Sequence, residues 1–403
     1  MKIYLTGVCM NNKLIITKQD NQIISAIYEG NDMVQVNIDH RESISILGNI
    51  YIGKVKNIVK NINAAFVEIG DGKMCYLSLE ENLYPIYIKP KLNDKLVVGD
   101  ELLVQISKED IKTKAPAVTT NINFTGKYVV LIHGRSMIGI SSKIEDEEER
   151  KRLKKLVRGF KEDSYGFIVR TNAVHMNEER INEEIMFLKK QYEELKQYGI
   201  HKSLFSLLYQ TPAGYICDIR DGYADRIDEI VTDDFEIHKN IKEYLENYQK
   251  EDLEKLHLYE DDMISLKNLY SINTKLEKGL NEKVWLKSGA TLIIQPTEAL
   301  TVIDVNTGKA ISGKKNVEDT FFKVNMEAAQ EIAKQIRLRN LSGIIIIDFI
   351  DMSKQEYKVK LMRVLEELFR KDPVKTTLVD MTALNLVEVT RKKVRKPLYE
   401  QIL

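Results

Sequence analysis

The chain is poor in cysteine and proline and carries no net charge. Its three cysteines, Cys9, Cys75 and Cys217, stand far apart. That spacing excludes a disulfide framework and a zinc knuckle, and it fits a reducing cytosol. Seven prolines and twenty glycines leave no flexible linker in view, so packed subdomains are expected rather than beads on a string. Sixty basic residues cancel sixty acidic ones; bulk charge is silent about nucleic acid, and any basic surface must be local. No apolar stretch is long enough to span a bilayer. The first residues, Met1-Lys-Ile-Tyr-Leu-Thr-Gly-Val, lack the apolar run of a signal peptide. The expectation is a cytoplasmic protein without a membrane span. Six histidines are scattered without metal-ligand spacing, and no Gly-x-Ser-x-Gly elbow, Cys/His pairing or internal repeat is present.

What is present is ample apolar material: 43% of 403 residues, enough for about two to three folded domains. Residues 1–45 read as short alternating strands with turns at Asn11-Asn12 and Gly30-Asn31-Asp32. Residues 46–121 hold four closely spaced strands, around Gly48–Val59, Asn63–Gly70, Met74–Leu79 and Val97–Ile106, with glycine turns. This pattern suggests a small antiparallel barrel. Residues 122–215 alternate strands (Tyr128–Ile132, Tyr165–Arg170) with charged amphipathic helices, Asp146–Val157 and Asn177–Tyr198. In the second helix Ile181, Ile185, Leu188, Tyr192 and Leu195 share one face. Residues 216–279 resume with a strand at Tyr215–Arg220 and then turn mostly helical. From 280 to 403 strands and helices alternate as in a βαβ fold. Asn316 is placed to cap a helix reaching about Arg339, with Phe321, Val324, Ala328, Ile332 and Ile336 on its apolar face. Ser353 and Glu356 form a capping box for a helix ending near Lys371. The fold class expected is mixed α/β in several subdomains.

The chemistry concentrates on two apolar runs, Leu300-Thr-Val-Ile-Asp-Val-Asn-Thr-Gly308 and Gly343-Ile-Ile-Ile-Ile-Asp-Phe-Ile-Asp351. Each places an aspartate, Asp304 or Asp348, at the carboxyl end of a strand, where open α/β sheets bind ligands. Neighbouring carboxylates repel unless a cation lies between them. Mg²⁺ suits such a pair, because it takes few carboxylates and keeps several waters. Asn306, two residues past Asp304, points the same way if the strand continues, and can donate to a phosphate oxygen. The competing reading is that these aspartates merely terminate strands; residues alone leave both open. Asp351 reads as the solvated start of the next helix.

Other features are weaker. Gly308-Lys-Ala-Ile-Ser-Gly-Lys-Lys315 matches a P-loop except that Lys315 replaces the Ser or Thr that holds Mg²⁺. This disfavours nucleotide hydrolysis and leaves phosphate contact through Lys309, Lys314 and Lys315. Phe66 and Tyr76 on successive strands can stack bases, with Lys108, Lys112 and Lys114 meeting phosphates; or Phe66 is core and the lysines are a solvated loop. Arg170 and Thr171 end a strand as an arginine fork plus a hydroxyl, which suits a phosphate monoester or an ordinary surface ion pair. The run Arg391–Lys396 either faces nucleic acid or is a solvated helix face.

These stretches, in this order, resemble the catalytic half of the ribonuclease E/G family. The resemblance rests most on Glu298-Ala-Leu-Thr-Val-Ile-Asp-Val-Asn-Thr-Gly, Asn325-Met-Glu-Ala-Ala-Gln-Glu-Ile-Ala and Gln335-Ile-Arg-Leu-Arg-Asn-Leu-Ser-Gly-Ile-Ile-Ile-Ile-Asp-Phe-Ile-Asp-Met. It implies an S1 barrel of OB type at 46–121, inserted in an RNase H-like subdomain made of 1–45 and 216–279. It also implies a 5′-phosphate sensor at 122–215 and a DNase-I-like catalytic subdomain at 280–403. By resemblance, Asp304 and Asp348 are Mg²⁺ ligands and Asn306 flanks the scissile phosphate. Arg170 and Thr171 hold the RNA 5′-phosphate, and Phe66, Tyr76, Lys108 and Lys114 contact RNA. The implied activity is Mg²⁺-dependent cleavage of single-stranded RNA to 5′-phosphate and 3′-hydroxyl ends, in ribosomal RNA processing and messenger RNA decay. The alternative is a non-catalytic RNA-binding protein. Two departures bear on this. The family continues into a Cys-Pro-x-Cys motif that shares zinc between protomers, whereas this sequence ends at Leu403 without a Cys-x-x-Cys pair. No zinc link is therefore expected from it, and a homo-oligomer is left open. Ile140-Ser-Ser-Lys-Ile144 is also less basic than the sensor of the family, which implies weaker 5′-end sensing.

Overall fold

The structure, a computed structural model, describes residues 12–40, 45–80, 84–91, 95–110, 115–221, 227–308 and 317–402. Lys112, Lys114, Lys309, Lys314, Lys315 and Asn316 lie outside the described residues. The chain packs as two compact units, one from residues 1–43 and 225–403 and the other from 44–224. The fold is mixed α/β. No helix among the described residues is long and apolar enough to cross a membrane.

The unit formed by 44–224 contains a closed five-stranded barrel. Ile50–Val59 pairs with Ala64–Glu68, then Met74–Ser78, Ala117–Thr119, Glu101–Lys108 and back to Ile50–Val59. The closure is consistent with an OB-type barrel. Alternation along each strand sends Val55, Ala65, Val67, Cys75, Leu77, Leu102 and Val104 into the barrel core. The last strand begins at Glu101, because Gly99 holds a left-handed turn at φ +94°. Beside the barrel, a sheet ordered Ile138–Ile140, Tyr165–Val169, Val129–His133, Asn123–Thr125 packs on two helices. Asp146 caps Glu147–Arg158 by accepting from the Glu148 and Glu149 amides. Glu178–Tyr198 buries Ile181, Ile185, Leu188, Tyr192 and Leu195, the face that its periodicity marks. Tyr215–Arg220 is not a strand: it lies within the helix Gly214–Asp221. Tyr215 to Ile219 are all buried, and a short run buried on every side has no period to separate helix from strand.

The other unit carries two sheets. One is ordered Leu256–Leu258, Glu229–Thr232, Asn12–Gln19, Gln22–Glu29, Asp32–His40. Asn12–Gln19, Gln22–Glu29 and Asp32–His40 form an antiparallel meander, and Glu229–Thr232 and Leu256–Leu258 join it in parallel. The second sheet is ordered Lys283–Trp285, Thr291–Pro296, Leu300–Asn306, Gly343–Asp348, Leu386–Arg391, Thr376–Met381. Only Leu300–Asn306 and Gly343–Asp348 run parallel in it, and such a pair needs a long crossover. Helix Val317–Leu338 supplies it, burying Val324, Ala328, Ile332 and Ile336 on the sheet while Phe321 packs at the edge. Helix Gln355–Arg370 covers the same face with Leu361, Leu365 and Phe369. Its amino end is capped differently from the Ser353–Glu356 expectation. Glu318, from the neighbouring helix, accepts from the Ser353 and Lys354 amides and the Ser353 hydroxyl, so the serine is already engaged.

Arg391 does not belong to a solvated helix face. It ends a strand, is buried, and locks the sheet from below. Its Nε and Nη2 donate to the two Asp372 oxygens at 2.7 and 3.2 Å, and its Nη1 donates to Asn340 Oδ1 and the Leu341 carbonyl. Asn340 and Leu341 form the turn that launches Gly343–Asp348, so this pair fixes where that strand starts. Removing one partner strands a buried charge. Asp372→Ala is expected to cost about 3–5 kcal/mol in urea unfolding followed on the unit that carries it; a loss below about 1 kcal/mol would show the pair to be no stronger than a surface one.

Candidate active site

The parallel register of Leu300–Asn306 with Gly343–Asp348 pairs Ile303 with Ile347 and Asp304 with Asp348. The isoleucines turn into the core and the aspartates turn to the opposite, open face. Side chains directly opposite in neighbouring strands sit about 5 Å apart, so the carboxylates converge. Asn306 Nδ2 donates to Asp304 Oδ2 at 2.5 Å, which fixes one carboxylate and joins all three expected residues in one site. The loop after Asp348 is held by Asn325, fully buried in the crossover helix. Its Nδ2 donates to the Ile350 carbonyl and its Oδ1 accepts from the Ile350 amide. Asp351 is exposed and accepts from Asn385 Nδ2. Gly308 closes the other strand end at φ +51°, pressed so close to the Gly289 carbonyl that a Cβ would lie 2.5 Å from it.

Burial, then the Asp304 charge and then that of Asp351, push the Asp348 carboxyl above its usual range. Among the described residues no lysine or arginine pairs with Asp304 or Asp348. No cluster of three or more acidic, histidine or cysteine ligands occurs among them either. Two carboxylates on an open face fit a hard divalent cation that keeps most of its water; they do not make the four-ligand set of a structural zinc site.

On the barrel, the outer face carries a row across five strand positions: Asn57, Phe66, Tyr76, Ala117 and Lys108 are successive register partners. Phe66 and Tyr76 are half-buried and meet edge to face, with ring centroids 6.3 Å apart. Phe66 is therefore not part of the barrel core, which Ala65 and Val67 fill instead. Lys108 is exposed at the end of the row.

In the smaller sheet of the same unit, Arg170 ends Tyr165–Val169. Its amide donates to the Tyr128 carbonyl and its Nη1 to the Gly126 carbonyl and Asp221 Oδ1. Thr171 is exposed, its hydroxyl 3.1 Å from that of Ser141. Residues beyond sequence reasoning build this corner. Glu184 accepts from the Lys127, Tyr128 and Val129 amides, and its carboxylate occupies the space a Cβ at Gly126 would take. Arg220 clamps Asp221 through Nε and Nη2. The signal for Glu184 was its position on the buried side of a charged helix; for Asp221 there was none.

A model of the Ribonuclease E/G family matches residues 123–394. Ribonuclease G of Salmonella typhimurium and that of Escherichia coli K12 are each 33% identical over 397 residues, covering 96% of this chain and 81% of theirs. Ribonuclease E of Nostoc is 34% identical over 397 residues, 57% of its own length. The chain belongs to the Ribonuclease E/G family of endoribonucleases.

The carboxylate pair has a measurable cost. A raised folded-state pKa means that the folded form holds its proton more tightly than the unfolded form. The destabilisation therefore appears as pH rises through the carboxylate range and persists at neutral pH. Without divalent cations, Asp348→Asn is expected to unfold at higher urea than the parent at pH 7, by less than about 1 kcal/mol for so exposed a pair. The difference should vanish in acid. A less stable variant at pH 7 would show that the carboxylates do not strain the sheet.

Proposed function

We propose that this chain, by family an endoribonuclease of RNA processing and decay, cuts single-stranded RNA at Asp304 and Asp348 with Mg²⁺ as the cation they hold. The observation that carries this is their in-register convergence on an open face, with no counter-charge among the described residues. A bound divalent cation supplies Lewis acidity and neutralises charge developing on the phosphate. Asp304 and Asp348 hold and orient that ion. Asn306 fixes Asp304 and offers an amide hydrogen to a phosphate oxygen. Water attacks phosphorus, the bond to the 3′-oxygen breaks, and the products carry 5′-phosphate and 3′-hydroxyl ends.

The Phe66–Tyr76 pair stacks bases and Lys108 meets the backbone; by resemblance Lys114 joins it. Stacking favours single strands, since A-form RNA hides its base edges in a deep groove. Arg170 and Thr171 take a terminal 5′-phosphate, which competes with Asp221 for the guanidinium. That competition, and the stretch Ile140–Ile144, less basic than the sensor of the family, fit a modest preference for 5′-monophosphorylated ends. The meander joined by two parallel strands supports an RNase H-like subdomain, and the helix-backed mixed sheet supports a DNase-I-like one. The site of action is the cytoplasm.

The deciding experiment compares cleavage of one oligoribonucleotide bearing a 5′-monophosphate or a 5′-hydroxyl, in Mg²⁺ and in chelator. Cutting should require the ion, and Asp304→Asn with Asp348→Asn should lower the rate at least about 100-fold. Retained cutting in the double variant would sink the mechanism; binding without ion-dependent cutting would favour the RNA-binding alternative. In the same assay Arg170→Ala should reduce any advantage of the 5′-monophosphate about tenfold and leave the 5′-hydroxyl substrate unaffected. Equal losses on both would assign Arg170 a structural role.

A further inference from the structure

Trp285 is the only tryptophan in the chain, and it is 68% exposed. Its strand, Lys283–Trp285, is the three-residue edge of the catalytic sheet. The flanking Val284 and Leu286 turn into the core, which sends Lys283 and Trp285 to the opposite face. The fold thus gets its burial mainly from the neighbours and little from the indole.

The register places both side chains in the rows of the active site. Lys283 pairs with Ile293, Ile293 with Asp304 and Asp304 with Asp348. Trp285 pairs with Thr291, and Thr291 with Asn306. Two strand spacings separate Lys283 from Asp304 and Trp285 from Asn306, about 10 Å, within reach of a nucleotide beside the scissile phosphate. Gly308, just past Asn306, abuts Gly289 of the turn that follows Trp285, so the two strand ends form one continuous surface. Lys283 Nζ lies 4.5 Å from the indole centroid, which holds the ring by cation–π attraction. A second lysine, Lys287, is exposed just beyond.

We propose that Trp285 is a base-stacking platform for a nucleotide of the single-stranded RNA substrate next to the cleaved phosphodiester, with Lys283 meeting that nucleotide's phosphate. The proposal rests on the reading of Asp304 and Asp348 as the cutting site. A base is the occupant the chemistry favours. An aromatic face stacks any base, a lysine beside it matches a phosphate, and the same face continues to the carboxylates. A protein partner would find a lysine and two carboxylates, unpaired among the described residues, in its contact.

The single indole makes the test specific. The full-length Asp304→Asn, Asp348→Asn chain is titrated with a single-stranded oligoribonucleotide. Binding is read by anisotropy of a labelled strand, and intrinsic emission by an unlabelled one. Tryptophan emission should change in step with binding and saturate with it. Trp285→Ala should weaken binding about tenfold, and Trp285→Phe should recover most of that. In the chain with both aspartates, Trp285→Ala should raise KM about tenfold and leave kcat within about twofold. RNA binding that leaves emission unchanged, with Trp285→Ala binding like the parent, overturns the proposal while the cutting site stands. No RNA binding at all overturns the function reading with it. Emission that changes with protein concentration alone, accompanied by a doubled mass, would assign the face to self-association and also overturn the proposal.

Discussion

The site depends on one register: the parallel pairing of Leu300–Asn306 with Gly343–Asp348. Shift it by one residue and every side chain changes face; Asp304 would then no longer stand opposite Asp348. What prevents the shift is burial on the other side. Ile303, Val305, Ile345 and Ile347 are all buried under the two covering helices, and moving any of them outward would cost about 1.5–3 kcal/mol each. The hydrophobic core thus dictates a geometry that the carboxylates, left to themselves, would avoid. Packing energy holds two like charges together, and the open face lets an ion between them.

Polar anchors complete what packing begins, and the same device recurs. Asn325 bridges helix to loop behind Asp348, Glu318 caps the neighbouring helix, and Glu184 gathers three amides behind Arg170. Each is a side chain satisfying backbone groups that would otherwise be orphaned where a loop meets a helix or a strand. Asn325 and Glu184 also fix the backbone next to candidate site residues, Asp348 and Arg170. The long helix Val317–Leu338 is the hub of one unit. It covers the catalytic sheet along most of its length, and near its end Lys334 and Arg337 pair with Asp32 and Glu29 of the other sheet.

Periodicity made the long elements legible. The faces of Glu178–Tyr198 and Val317–Leu338 follow from spacing alone, and the two aspartates that end apolar runs are found side by side in the sheet. Short elements were not legible. Glu229–Thr232 and Leu256–Leu258 are too brief to show alternation, and their pairing depends on Asn12–Gln19 more than 200 residues earlier. The helix at Gly214–Asp221 failed for the same reason in reverse. Phe66 shows the limit at a site: whether it faces in or out turns on which of Ala65, Phe66 and Val67 point inward, and that parity is set by partner strands. The Arg391 run misled because charge in a sequence says nothing about whether a partner such as Asp372 waits in the fold.

Two arrangements of charge stand on opposite sides of the sheet that carries Asp304 and Asp348. Behind it, Arg391 and Asp372 are 3% and 2% exposed and fully satisfied; such a pair adds modest net stability but is severely punished if broken. On the open face Asp304 and Asp348 pair with no cationic side chain among the described residues, and the charges of Asp304 and Asp351 help raise the Asp348 pKa. A sheet capable of the first arrangement does not lack the means to neutralise the second, since Lys283 stands in the same cross-strand row and an arginine nearer the pair would suffice. Two carboxylates held together on an open face leave room for a doubly charged ion from solution to supply the balance. That is the physical argument for a divalent ion, and it stands on the register and on the absence of any paired cation among the described residues.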